Sequence, residues 1–213
     1  MNYPKASTEW TAKAGGEFAT FGLCTLHSRE AQVQNGPFDL SRVYSSDASM
    51  VTYFPFDWIQ SPNFGKRPAT AEVDTIVIHS TVIPTLEATV AAFTRTSSQV
   101  SSHYVIGKDG HIVQCVSSFA RAWHAGVSED PTGRKNVNDF SVGIELVNLN
   151  DGKDPYPTAQ VTALRYLILS LKRRFEFGQI TSHANIARPL GRKTDPLGFP
   201  WPQLADLGIP LKP

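Results

Sequence analysis

Three short apolar runs constrain this chain most, because each contains or delivers a group that prefers water. Asp74 to His79 reads DTIVIH, Ser141 to Val147 reads SVGIELV, and Gln179 to Ser182 (QITS) leads into His183. β-branched residues at that density favour buried strands. Between the first two runs, Pro84 to Arg95 places Leu86, Val90 and Phe93 on one helical face. His103 to Ile106 and Ile112 to Val116 flank the turn pair Asp109-Gly110 and read as a β-hairpin. Thr158 is expected to cap a long helix with Val161, Leu164, Ile168 and Leu171 on one face, running through Arg173 and Arg174 until Gly178 stops it. Strands alternating with helices imply an α/β fold, a mixed central β-sheet flanked by helices.

Upstream of residue 53 no helical period is sustained, and residues 1–52 read as an extension of short strands and loops with no assigned role. The aromatic passage Tyr53 to Trp58 and the SPNFG segment, Ser61 to Gly65, read as an irregular lead-in to a domain spanning 53–213. Lys+Arg 20 against Asp+Glu 19 leaves a net charge of +1, so no bulk field recruits nucleic acid or anionic lipid. Apolar stretches such as Leu167 to Leu171 fall far short of the roughly 20 residues a membrane helix needs, so no transmembrane segment is expected. The start, MNYPKASTEW, lacks the basic region and apolar core of a signal peptide. Two cysteines exclude a disulfide scaffold and an all-cysteine metal site. Cys24 and Cys115 either form one bridge or stay as two buried thiols, and the strand-like setting of Cys115 favours the second.

A transition metal would therefore need histidine and carboxylate. His79 and His183 end apolar strands, where α/β folds gather their sites. Catalytic zinc takes three protein ligands and leaves one position open. Asp195, in a loop stiffened by Pro189, Pro196 and Pro200, is the candidate third ligand, although no compact HExxH or CxxC motif supports the set. Glu145 sits inside an apolar strand, where an unpaired carboxylate costs several kcal/mol unless a function or partner offsets it. Lys193 alone reads as a surface charge, and His27 and His111 as solvent-facing or turn residues.

Six blocks in order give these residues a common setting: Ile76 to Thr81 (IVIHST), Ser101 to Ile106 (SSHYVI), Arg121 to Gly126 (RAWHAG), Asn138 to Leu146 (NDFSVGIEL), His183 to Ala187 (HANIA) and Arg192 to Pro196 (RKTDP). Together they resemble the zinc-dependent N-acetylmuramoyl-L-alanine amidases of the type 2 family, relatives of phage amidase-type lysozymes and of peptidoglycan recognition proteins. The resemblance implies one Zn2+ on His79, His183 and Asp195, with Glu145 as general base and acid and Lys193 steadying the oxyanion. A zinc-activated water would then cleave the amide between N-acetylmuramic acid and L-alanine in peptidoglycan or muropeptides. The family's tyrosine branch carries a tyrosine at the position of Ser102, so this chain resembles the glutamate branch.

Trp123, His124 and Ala125 are expected to form the substrate-facing wall, a ring for the sugar face or lactyl methyl and an imidazole for hydrogen bonds. Arg134 and Asn138 are candidates for peptide carboxylates or carbonyls, and His103 for supporting the metal ligands from behind. A monomer is expected. The short interval from His79 to His103 resembles envelope and autolytic members, implying an extracytoplasmic place, with cytoplasmic or phage origin as the alternatives. The competing functional reading is a non-catalytic peptidoglycan-binding relative, against which the retention of all three ligands argues.

Overall fold

The three apolar runs lie side by side. A computed structural model describes residues 56–213, so the expected extension, with Cys24 and His27, falls outside the described residues. Strand β3 (Thr75–Ser80) runs parallel between β7 (Ser141–Leu146) and β8 (Gln179–Ser182). On the far side of β7 lies the hairpin β4 (Tyr104–Ile106) and β5 (Ile112–Gln114), whose mutual pairing is antiparallel while β4 runs parallel to β7. Asp109 Oδ1 accepts from the amide of His111, and Gly110 adopts φ 90°, so the Asp-Gly pair makes the expected turn. With β1 (Phe56–Trp58) and β9 (Leu211–Lys212) at the two edges, the full order is β1-β5-β4-β7-β3-β8-β9, a mixed sheet.

Alternation within the parallel strands divides the two faces. Ile76, Ile78, Val142, Ile144, Leu146 and Ile180 point to one side, where Leu164, Leu167, Ile168 and Leu171 of helix α2 (Thr158–Leu171) cover them. Leu204, Leu207 and Ile209 complete that core. Val77, His79, Gly143, Glu145 and Thr181 alternate with these residues and so face away from α2. On that second side, helix α1 (Leu86–Thr94) packs Leu86, Val90 and Phe93 against Val105, Val113, Cys115 and Val147. Thr85 caps α1 by accepting from Ala88 N at 3.1 Å. Burial pushes the Cys115 thiol up to about 12, which suits an inert core group.

Four expectations change. The aromatic lead-in is regular in part: β1 (Phe56–Trp58) pairs parallel with β5, because Phe56 packs on the core while Asp57 faces out. Phe64–Gly65 forms β2, paired antiparallel with β6 (Arg121–Ala122). Thr158 is the first helical residue of α2 rather than its cap; Pro157 occupies that place in an extended conformation, without a side-chain hydrogen bond. The helix ends at Leu171, well before Gly178, because Phe175 and Phe177 turn back onto the core. Beyond the proline-rich tail, Leu211–Lys212 adds β9 beside β8.

Arg67 ties these pieces together. Its guanidinium donates to the carbonyls of Asn138 (2.9 Å), Asp139 (3.0 Å), Ser118 (3.1 Å) and Ser141 (2.8 Å). Burial lowers its pKa to about 10, which leaves it charged at neutral pH. Arg67→Met keeps the apolar stem and strands four acceptors. At about 1 kcal/mol for each such acceptor, it should cost on the order of 4 kcal/mol, read as a lowered urea midpoint with unchanged slope.

Candidate active site

Strand register builds the site. His79 pairs with Glu145 across β3 and β7, and Ile78 pairs with Ser182, so His183 stands one residue beyond the last β3–β8 pair. Three neighbouring parallel strands thus deliver Glu145, His79 and His183 at their carboxyl ends, where open α/β sheets place ligands. Ser182 accepts from Asn185 N at 3.0 Å and starts the short helix α3 (His183–Ile186) on His183 itself.

Asp195 arrives from the loop after α3. Its carbonyl accepts from Ala184 N at 2.9 Å. On its other side Asn150 donates to Thr194 Oγ1 (3.0 Å) and accepts from Leu197 N (2.6 Å). Held so, Asp195 Oδ2 lies 3.1 Å from His183 Nδ1 and 3.5 Å from His79 Nδ1. Glu145 Oε1 is 3.9 Å from His79 Nδ1.

All four side chains are buried, and their electrostatics separate them. Burial first, then the neighbouring His183, lowers His79 to about 4, so its imidazole is neutral. Burial works against ionised Asp195, but the hydrogen bond from His183, with His79 beside it, wins and holds it well below the usual carboxylate range. Burial, helped by the Asp195 charge and opposed by Lys193, raises Glu145 to about 8. Among the described residues, Glu145 Oε2 and His183 Nε2 are buried without a partner. His79, His183 and Asp195 offer ligand atoms within 4.8 Å of one another, a group that could hold a metal ion. Two imidazoles and a carboxylate match the donor set of an open zinc site.

The sequence model of the N-acetylmuramoyl-L-alanine amidases matches residues 69–198. The chain belongs to that family. The 1,6-anhydro-N-acetylmuramyl-L-alanine amidase AmpD of Salmonella typhimurium is 36% identical over 171 residues, covering 70% of this chain and 88% of its own length. Among solved structures, the amidase AmiD from E. coli, in complex with anhydro-N-acetylmuramic acid-L-Ala-D-gamma-Glu-L-Lys, is 33% identical with TM-score 0.59, covering 68% of this chain and 62% of its own. AmpDh3 from Pseudomonas aeruginosa is 30% identical with TM-score 0.55, covering 79% and 67%. The N-acetylmuramoyl-L-alanine amidase LysC from Clostridium intestinale, 20% identical with TM-score 0.52, shares the fold.

The remaining expected residues fall into distinct places. Lys193 is exposed, and its charge acts on both Glu145 and His79. Trp123 is half-buried, and its amide and carbonyl both bond to Ser101. Ala125 is buried with Val77, Val137, Phe140 and Ile186, so it packs the wall from inside. Asn138 Oδ1 accepts from the amides of His124 (3.1 Å) and Ala125 (2.8 Å), shaping the turn between them. His124 is buried, with one ring nitrogen 3.0 Å from His79 Nε2 and the other 3.1 Å from Ser141 Oγ. Neither nitrogen is left for a sugar or peptide. His103 Nδ1 accepts from Gly143 N (2.9 Å), and its Nε2 lies between Ala120 O (3.2 Å) and the Arg67 guanidinium (3.1 Å). His103 thus braces β7 behind His124, their ring centroids 5.6 Å apart. His111 lies just past the hairpin turn and pairs with Asp57 at 2.8 Å.

Arg134 is already occupied. Its fork donates to both oxygens of Asp74 (2.7 and 3.1 Å) and to Asp130 (2.9 Å), and it lies 4.1 Å above the Phe140 ring. That commitment leaves little of the fork for a peptide carboxylate, and makes Arg134 a clamp on the loop leading into β7. Asp130 is the buried end of the clamp. Burial would raise its pKa, but hydrogen bonds from Thr132 and Arg134 outweigh this and lower it below 3.8. A depressed carboxylate stabilises the fold above its unfolded pKa and ceases to do so as pH falls through the folded value. Asp130→Asn should therefore be less stable than wild type by about 2 kcal/mol at pH 7. Urea unfolding across pH should show that gap closing below about pH 4.

Proposed function

We propose that the protein hydrolyses the amide between N-acetylmuramic acid and L-alanine, on peptidoglycan fragments that include the 1,6-anhydro form. The observation that carries this is the meeting of Glu145 with the His79, His183 and Asp195 cluster, in a chain of the amidase family. The anhydromuramyl peptide in the AmiD complex supplies the substrate class. On this reading residues 53–213 are the catalytic unit.

His79, His183 and Asp195 would hold Zn2+. The ion would supply Lewis-acid activation of a water and polarisation of the scissile carbonyl. Glu145 takes a proton from the attacking water and returns it to the departing L-alanine nitrogen as the C–N bond breaks. The products are a free muramic carboxylate and a peptide amine. For this Glu145 must begin ionised although its buried site favours the neutral form, and the positive charge of Lys193 acts in the required sense. A divalent cation beside it would act in the same sense. Lys193 also stands ready to donate to the carbonyl oxygen as negative charge grows there, a contribution of about 3–4 kcal/mol for a well-aimed donor. Trp123, half-buried among the WHAG residues, offers a ring for the sugar or lactyl group.

Incubating zinc-loaded protein with anhydro-muropeptides and intact wall fragments, and following stem-peptide release by mass spectrometry, tests the reading. Release from neither substrate, or binding without cleavage, overturns it. Glu145→Ala should retain zinc and lose at least about 100-fold in kcat. Asp195→Ala should lose zinc affinity and turnover together, checked by metal content after dialysis. Extracytoplasmic placement is also part of the proposal, and fractionation of cells expressing the natural gene tests it.

A further inference from the structure

His124 lies behind the metal cluster, and the protons around it can be assigned from one fixed end. The carbonyl oxygen of Val137 can only accept, and Ser141 Oγ lies 2.6 Å from it, so the single hydroxyl proton of Ser141 goes there. Ser141 Oγ must then accept from His124 Nε2 at 3.1 Å. With its proton on Nε2, a neutral His124 has only an acceptor at Nδ1. That atom meets His79 Nε2 at 3.0 Å, so His79 donates from Nε2. The lone pair of His79 is thereby left on Nδ1, the nitrogen that faces Asp195 Oδ2 at 3.5 Å.

The backbone keeps this arrangement in place. Asn138 Oδ1 grips the amides of His124 and Ala125. The His124 ring lies against β7 where residue 143 has no side chain; a Cβ there would fall 2.5 Å from His124 Cγ. A glycine inside a buried strand weakens it, and here the glycine makes room for an imidazole.

We propose that His124 is a positioning residue: with Ser141 and the Val137 carbonyl as a fixed anchor, it sets the tautomer and ring orientation of the metal ligand His79. This rests on the proposed zinc site, since it gives His79 the outer hydrogen bond that metal-binding imidazoles need. Among the described residues, His183 Nε2 has no partner, so no equivalent support is found there.

Zinc affinity, measured by chelator competition without substrate, is the primary readout. His124→Phe fills the same space without an acceptor and should weaken zinc about 10–100-fold. His124→Asn, which can present a carbonyl near the position of Nδ1, should recover most of that loss. Ser141→Ala frees the far ring nitrogen and should weaken zinc by a smaller factor. Nitrogen-15 NMR of zinc-loaded wild type needs no variant and should show His79 and His124 each protonated at Nε2 alone. A folded His124→Phe with wild-type zinc affinity overturns the proposal, as does a His124 protonated at Nδ1. So does a His124→Phe whose only defect is a raised KM, which would make His124 a substrate contact. A wild type that binds zinc with this tautomer but releases no peptide sinks the amidase reading and leaves His124 in its role; one that binds no zinc sinks the role as well.

Discussion

The parallel pairing of β3 with β7 and β8 is the constraint on which the site depends. Pairing of Ile78 with Ile144 and Ser182 aligns three strand ends, and the next positions are Glu145, His79 and His183. Because successive side chains alternate, the same register that buries Ile76, Ile78 and Ile144 under α2 turns His79 and Glu145 to the other face. A slip of one residue in β7 would send Glu145 into the hydrocarbon of α2 and expose Ile144. The core and the chemistry are therefore specified by one set of backbone hydrogen bonds.

Around that framework, polar side chains do work usually assigned to regular structure. Arg67 gathers carbonyls from the segment before β6 and from the start of β7. Arg134 and Asp130 hold the loop between the WHAG turn and β7, and Gln179 of β8 reaches Asp130 at 3.3 Å. Asn63 points its amide at the carbonyls of Phe93, Arg95 and Val100, closing the end of α1. Loops held in this way can carry reactive groups with little regular structure of their own.

Much of this was legible from residue types. The β-branched runs announced β3 and β7, the Asp-Gly pair announced the hairpin, and the His79, His183 and Asp195 set, weak from spacing alone, came from the family resemblance of the six blocks. What was not legible shares a cause: it depends on partners distant in the chain. β9 is two residues long and exists because β8 offers it an edge. Arg134 looks free for a carboxylate until the fold brings Asp74 to it from 60 positions away. His124 looks like a ligand for sugar until His79, 45 positions away, takes one nitrogen and Ser141 the other. Gly143 did leave a signal, a glycine in the middle of a buried strand, and that signal marks where an imidazole comes close.

The grip of Asn150 on the Asp195 loop has a consequence for how such a site diversifies. Asn150 belongs to the connection between β7 and α2, a surface segment of the kind where insertions accumulate. By bonding Thr194 and Leu197 on either side of Asp195, it makes that surface connection part of the mounting of a ligand. Lengthening or shortening the connection would thus retune the reactive centre without altering any residue that touches it, and a graft of this loop between relatives should carry the Thr194 to Leu197 segment with it.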